Sequence, residues 1–468
     1  MSAPTTWGRF AVVVDDGAVV LLDGGRELLR CTLRPQLDGV LLPVQDVSTA
    51  PDEVELGGAG QGLRWRVRHA FSDAWHTRVL LQGERPGVAV ESLVWRLGTD
   101  RAAWCWGSGV HGLLAVLGPE PELLVTRPLR ATLRTGGELG PLQPGPDGTT
   151  VTLRTRWETR AEVAGALPAW LPVLERRLED PLELEHPDAG IVHPEELEVS
   201  STGPLTQLVA SRPGCWPVSL HGPEGETVLE PCWASDVEEV VAARAAELVR
   251  EAPRRQGVPV LTDPASVLVL ARGGVGAERD EAVARALAEP AGAGSPWSVL
   301  LAVEEHQRSG AAEHLARAVQ LLPELTRGAG APTAAMAVLV ALATSGADPS
   351  PAAAALARTA GSADTELLLE LELLGGRLGP ASTRTAAALV DRLGAGLPGG
   401  PLAVDPRTTA REVTLLRWLP DEAARALDGR LLGGSSLSEL VQRTERRLLA
   451  GDPSTEALAW LGTTVLDR

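Results

Sequence analysis

Glu304, Glu305 and His306 stand together, with Glu313 and His314 a few residues on, so one helical hairpin would gather carboxylates and imidazoles in a single neighbourhood. Carboxyl groups whose surroundings push their pKa values apart are what glycosidic bond hydrolysis needs, which makes Glu304, Glu305 and His306 the catalytic candidates. On a solvated helix face the same residues would do no chemistry. A second cluster holds His69, Asp73, Trp75 and His76. Two imidazoles and a carboxylate converging on a loop could share a proton or a ligand. The plainer reading puts His69 at the end of one strand, His76 at the start of the next and Asp73 in the turn. The third cluster is Trp104-Cys105-Trp106-Gly107-Ser108-Gly109-Val110-His111. On a strand both indoles share a face and the Gly-rich turn presents His111, the layout of a ligand platform; the plainer reading, with other aromatics so scarce, is two core tryptophans. Gly273-Gly274-Val275-Gly276 falls short of a nucleotide-binding fingerprint, with Arg279 where the third glycine would stand.

What the chain lacks narrows the chemistry further. It has no Lys, no Asn, no Tyr, a single Ile (Ile191) and 2 Phe, against 50 Gly and 36 Pro. The depleted residues have AT-rich codons, which points to a very GC-rich genome of the actinobacterial kind. Trp has a GC-rich codon, so the 13 Trp are first of all the aromatics left to fill a core. Without Lys there is no Schiff base, no pyridoxal-phosphate anchor and no P-loop. Without Tyr there is no tyrosine acid or base.

The formal net charge is −18, with arginines spread along the chain, so nucleic acid is not expected as a partner. No stretch approaches the roughly 20 apolar residues that span a bilayer, and the start, Met-Ser-Ala-Pro-Thr-Thr-Trp, lacks a signal-peptide pattern. Four Cys without Cys-x-x-Cys spacing suit a reducing compartment. A cytoplasmic protein with no metal and no cofactor is expected. Cys215 and Cys232 should face each other across a hairpin closed by Gly222-Pro223-Glu224-Gly225, as buried thiols.

The elements that must position these clusters fall into two kinds. Residues 7 to about 233 read as short strands, many alternating apolar and polar, as in Leu63-Arg-Trp-Arg-Val-Arg-His69 and Val151-Thr-Leu-Arg-Thr-Arg-Trp157. An antiparallel β-sandwich, of the ordinary or the large supersandwich type, is expected over 1–165. A crossing segment and small β unit follow over 166–235, with His186-Pro187-Asp188 and His193-Pro194 in the crossing. From Asp236 the period becomes helical, giving an α-helical hairpin array over 236–468, a solenoid or a toroid. Asp236, Ser295, Asp364 and Ser438 stand near helix starts as capping residues. Gly346 to Gly361 and Gly379 to Gly394 form a short repeat, offset by 33 residues, one hairpin per repeat.

A β-sandwich followed by a helical-hairpin array resembles, in architecture and without a shared motif, carbohydrate-active proteins that join a large sandwich to a helical toroid. That resemblance implies saccharide binding or processing where sandwich and helices meet, through Trp104, Trp106 and nearby acids, with carboxylate-based, glycosidase-like chemistry if there is an activity. The residues themselves lean the other way. Lacking a complete catalytic constellation, they suggest a non-catalytic interaction protein whose helical array offers a surface to a protein partner. A saccharide is the other expected partner.

Overall fold

A computed structural model describes residues 5–466 except 86, 99–101, 108, 110, 118–121, 132, 135–136, 186–189, 223–224, 256, 289–293, 327, 361–364, 376–382, 402–404, 433–434 and 465. His186-Pro187-Asp188, Pro223, Glu224, Gly361, Asp364, Gly379, Ser108 and Val110 therefore lie outside the described residues.

The alternating segments form β1 (Thr5–Trp7), β2 (Phe10–Asp15), β3 (Ala18–Asp23), β4 (Arg26–Leu37), β5 (Val40–Leu41), β6 (Asp46–Ala50), β7 (Glu53–Gly60), β8 (Leu63–Phe71), β9 (Trp75–Gly83), β10 (Ser92–Gly98), β11 (Ala102–Trp106), β12 (Leu113–Leu117), β13 (Glu122–Arg130), β14 (Leu133–Arg134), β15 (Glu138–Leu139) and β16 (Thr149–Thr159). One sheet runs β1-β2-β3-β4-β10-β15-β14, with β5 also on β4; the other runs β11-β12-β13-β16-β9-β8-β7-β6. Every neighbouring pair in the second sheet is antiparallel. Tight turns carry this meander: Asp16-Gly17 and Gln61-Gly62 both take positive φ, the two-residue hairpin geometry whose twist suits the strands. The alternation then does the packing. From β8, Leu63, Trp65, Val67, His69 and Phe71 turn inward, and they meet Val19, Leu21, Leu29 and Leu33 of the first sheet in one apolar core. This is a sandwich.

A short helix, α1 (Arg160–Gly165), leaves the sandwich. Next come β17 (Glu175–Arg177), β18 (Leu182–Glu185), β19 (Gly190–Val192), β20 (Leu197–Thr202), β21 (Leu205–Ala210), β22 (Gly214–Cys215), β23 (Val218–Gly222), β24 (Gly225–Leu229) and β25 (Cys232–Ala234). They make three small sheets, β17-β25-β22, β18-β21-β20 and β19-β23-β24, around Leu182, Leu208, Leu220, Leu229 and Trp233. The expected register is present, Cys215 opposite Cys232 and His221 opposite Glu226. The thiols are not free, however: with the two Cα atoms 4.1 Å apart, Cys215 and Cys232 are joined in a disulfide, and the buried Cys31 and Cys105 stand outside any disulfide.

The helical half comprises α2 (Val237–Glu251), α3 (Pro264–Gly273), α4 (Ala277–Ala288), α5 (Pro296–Ser309), α6 (Ala312–Leu321), α7 (Ala331–Thr344), α8 (Ser350–Ala360), α9 (Thr365–Gly375), α10 (Thr383–Arg392), α11 (Pro406–Arg417), α12 (Asp421–Arg425), α13 (Leu437–Ala450) and α14 (Thr455–Leu461), with the two-residue strands β26 (Arg254–Arg255), β27 (Val258–Pro259) and β28 (Gly400–Pro401) between them. Asp236 and Ser295 stand at the N-caps of α2 and α5, but Ser438 does not cap α13; Ser436 does, accepting from Glu439 N, because Glu439 three residues on completes the reciprocal pair.

Of the two hairpin arrangements expected, the helices adopt the closed one. α3, α5, α7, α9, α11 and α14 each pack on the next, and α14 returns to α3. The sequence of these helices explains their place. Ala265 to Ala271 of α3 is buried on every side, as are Ala331 to Val338 of α7 and Ala457 to Leu461 of α14. Amphipathic helices such as α6 and α13 bury one stripe from outside. The seam is bonded as well as packed. Arg272 of α3 donates to Glu304 of α5 and to the carbonyl of Ala459 and hydroxyl of Thr463 beside α14. Glu370 of α9, fully buried, accepts from Gly330 N at 3.0 Å and Thr333 N at 2.9 Å and so caps α7. Among the described residues no helix is long and apolar enough to cross a membrane.

Candidate functional site

The sandwich and the ring are stitched together at one sector. β28, from the loop between α10 and α11, adds itself to the second sheet beside β11, pairing Pro401 with Trp104 and Gly400 with Cys105. Arg160 at the start of α1 donates to the carbonyl of Arg430 at 2.8 Å and to Asp391 at 2.9 Å, and Asp391 also accepts from Arg430 at 2.5 Å. Trp104 and Trp106, on one face of β11 as the alternation predicts, bury themselves against Leu397 and Leu432 of the helical half. The backbone comes so close that only glycine serves at two positions: a Cβ on Gly394 would lie 2.4 Å from the Trp104 ring, and one on Gly399 2.4 Å from Cys105 O. Both glycines have positive φ.

Where these parts meet, a cavity of about 190 Å³ remains, lined by Trp104, Glu175, Leu397, Thr409, Arg443 and Arg447 among others. An apolar cavity of about 150 Å³ holds a benzene molecule, so one six-membered ring is the scale of group this space admits. Its wall is mostly apolar, from Trp104, Leu393, Leu397, Leu440 and Leu448, with Thr409, Thr444 and a charged cluster as its polar groups. The cluster centres on Glu175, which is 3% exposed and accepts from Arg443 Nε at 3.0 Å and Arg447 Nη2 at 2.6 Å. Arg443 and Arg447 stand one helical turn apart on α13, which aims both guanidiniums at the same carboxylate. Burial pushes the Glu175 carboxyl up, but Arg447 and Arg443 together outweigh it and hold the group below the usual carboxylate range. Glu175 is thus an ionised anchor with both oxygens engaged. It is not a base awaiting a proton.

Of the residues singled out from the sequence, only Trp104 lines this cavity. His69 lies in the sandwich core, where its Nδ1 accepts from the Trp75 indole N–H at 3.0 Å and faces the Thr77 hydroxyl at 3.2 Å. Burial pushes its pKa down to about 3, so the ring is neutral. Trp75 is buried and meets Trp7 edge-on. Asp73 is exposed in the turn, accepting from Ser72 Oγ at 2.8 Å and 3.7 Å from Arg154, while His76 is half-buried on β9. His111 is half-buried in the β11–β12 connection. Glu304 is bound to Arg272, Glu305 is buried between Arg279 and Arg308, and His306 donates from Nδ1 to the Ala311 carbonyl at 2.9 Å. Burial pushes Glu305 up, but Arg308 and Arg279 bring it below the ordinary range. These acids brace the ring. Among the described residues no three His, Cys, Asp or Glu side chains converge as a metal site would require.

Sequence reading passed over Glu175, Arg443 and Arg447. The one available signal was the arginine pair at i, i+4 on an amphipathic helix, beside an apolar stripe that had to pack on something.

No protein-family model matches this chain, and no curated protein matches it. Among solved structures, one described as a polysaccharide lyase is similar over 94% of this chain and 82% of its own, at 9% sequence identity and a TM-score of 0.50. At that identity the likeness bears on the fold alone.

Proposed function

We propose that this chain is a saccharide-recognition protein whose ligand enters the junction between sandwich and helical ring and seats one sugar ring in the cavity beside Trp104. The observation that carries the reading is the composition of that cavity, a mostly apolar wall that includes an indole, together with a fixed Arg443–Glu175–Arg447 cluster. Sugars present an apolar ring face and a polar hydroxyl edge, which an indole and fixed polar groups in one cavity complement. The similarity to a polysaccharide lyase supports the same reading. So does closure of the ring, since the rival reading, a protein-binding scaffold, draws its strength from an open concave groove. We infer binding and not bond cleavage, because Glu175 has both oxygens committed and Glu304, Glu305 and His306 are taken up by the helical ring.

Thermal unfolding of the full chain with a panel of neutral and acidic oligosaccharides tests this. A ligand present at 100 times its Kd stabilises by about 2.7 kcal/mol. The shift should vanish in Leu448→Trp, which fills the cavity. A panel in which nothing shifts unfolding, or a shift untouched by Leu448→Trp, removes the reading, and release of unsaturated or reducing sugar ends would replace binding by catalysis.

A further inference from the structure

The part of the second sheet that the helices leave uncovered carries an unusual row of cations. Alternation along β8 sends Arg64, Arg66 and Arg68 outward while Leu63, Trp65 and Val67 face the core. Registry then sets Arg68 opposite Arg78 on β9, Arg78 opposite Thr152 on β16, and Thr152 opposite Arg130 on β13. Three arginines thus stand in one line across four strands, with Arg64 and Arg66 extending it along β8 at about 6.6 Å per step. Like charges directly opposed across a strand pair destabilise a sheet, so the Arg68/Arg78 pairing works against folding. Glu53 answers Arg68, Glu55 lies 3.7 Å from Arg66, and Glu84 lies 3.4 Å from Arg64. No described carboxylate pairs with Arg78 or Arg130. Arg64 and Arg66 are each 71% exposed, and such surface pairs hold weakly and exchange readily for another anion.

Beside this row the surface is hollowed. Gly57 of β7 faces outward opposite Arg66 without a side chain, while Gly58 turns in towards Trp65, and a groove of about 550 Å³ runs over β6 to β9, lined by Ser48, Arg64, Arg66 and Gln82 together with the carboxylates Asp46 and Glu55. Strand spacing, a polar floor and cations at regular intervals describe a track for an extended chain of repeating anionic units.

We propose that this face of the sandwich binds an acidic polysaccharide, one carrying carboxylates or sulfates along its length. The surface is separate from the junction cavity and rests on its own observation. The occupant follows from charge. A chain of net charge −18 repels polyanions at long range, most strongly a duplex nucleic acid with a charge every ~1.7 Å. A more sparsely charged sugar polymer suffers less repulsion while still meeting each arginine of the row.

Native gel electrophoresis of the full chain through gels holding polygalacturonate, chondroitin sulfate or neutral dextran tests the proposal. Retardation is expected in the two acidic gels, absent in neutral dextran and relieved by salt. Arg66→Glu with Arg78→Glu should weaken it at least tenfold, and Arg78→Gln with Arg130→Gln should weaken it in the same direction without reversing charge. Arg250→Glu with Arg425→Glu, the same charge change on exposed helical positions, should leave it in place. Retardation that survives the sheet variants, or falls equally with the helical pair, overturns the proposal. So does stronger retention by duplex DNA, which would make the partner a nucleic acid. Leu448→Trp separates the two readings: it should abolish oligosaccharide binding at the junction and leave retardation unchanged, whereas loss of both assigns the retardation to the junction and overturns the face.

Discussion

The indole N–H of Trp104 donates at 3.0 Å to the carbonyl of Pro398, 294 residues further along the chain. One hydrogen bond therefore joins the sandwich to the loop that returns as β28, and the ring of Trp104 is held flat against the backbone at Gly394. Gly394→Ala would place a methyl group 2.4 Å from that ring at a φ of +87°. Left-handed backbone and overpacking each cost an L residue roughly 1 to 3 kcal/mol, so a loss of about 3 kcal/mol is expected in denaturant unfolding. Ala395→Gly, at the neighbouring positive-φ position, should not destabilise comparably. An unchanged Gly394→Ala midpoint would mean that the two halves are not held by this contact.

Glu175 ties the small β unit to α13 in the same sector. Removing one member of a buried, hydrogen-bonded ion cluster strands the other charges and costs about 3–5 kcal/mol. Glu175→Ala should therefore approach that loss, and Arg443→Met should cost less, because Arg447 still answers the carboxylate. The folded pKa of Glu175 lies below its ordinary 4.5, so its contribution is present above that pH and fades as pH falls through the depressed value. Urea midpoints at neutral pH and near pH 4 check both statements; equal losses in Glu175→Ala and Arg443→Met would show that the cluster does not act as one unit.

Much of this frame could be read directly. β8 was legible because its inward residues, Leu63 to Phe71, alternate without a break, and α7 and α14 because their apolar runs leave no polar face, whereas the apolar run before Gly273-Gly274-Val275-Gly276, which reads as part of a linker, folds as α3. β28 was not, since Gly400-Pro401 has no alternation and becomes a strand only where β11 offers an edge. Ring closure was hidden for a related reason: hairpin spacing reports neighbours in sequence, whereas closure depends on α14 meeting α3. Glu175 sits in Leu-Glu-Arg-Arg-Leu, which reads as a solvated charge run until α13 covers it. Trp104, picked out as a platform, does line the cavity, but it was picked for its neighbours in sequence, whereas its partners there come from the helical half.

His69 gives the sandwich its own acid sensitivity. The folded chain keeps this ring neutral down to about pH 3, while the unfolded chain protonates it near 6.5. Between those values the unfolded state holds the extra proton, so stability is complete above pH 6.5 and falls with acid by up to about 1.4 kcal/mol per pH unit. Glu175 adds its own loss only below its ordinary 4.5, whereas burial raises Glu370, Glu445 and Glu456 above 4.5, so the folded chain takes up their protons first and they offset part of the His69 loss as pH falls. His69→Gln should flatten the slope of unfolding free energy against pH between 6.5 and 4.5, whatever its cost at neutral pH. A slope unchanged by the substitution would assign the acid loss elsewhere.

The disulfide stands in line with the junction. β25 pairs with β22 on one side, Cys232 opposite Cys215, and with β17 on the other, Cys232 beside Glu175. The Cys232 N–H donates to Leu174 O at 3.0 Å, so the crosslink braces the strand that presents Glu175 to the cavity. Disulfides persist in oxidising compartments, and this bond and a cytoplasmic setting pull in opposite directions. Thiol titration of the denatured, unreduced protein decides between them: two reactive groups, Cys31 and Cys105, are expected with the bond in place, and all four without it. The bond closes a loop of 17 residues, for which the chain-entropy estimate is about 3 kcal/mol. Cys215→Ser with Cys232→Ser should lower stability by an amount of that order and raise hydrogen exchange first at Cys232 to Ala234 and Glu175 to Arg177. Exchange that rises elsewhere, with these two strands still protected, would show that the crosslink does not support the junction.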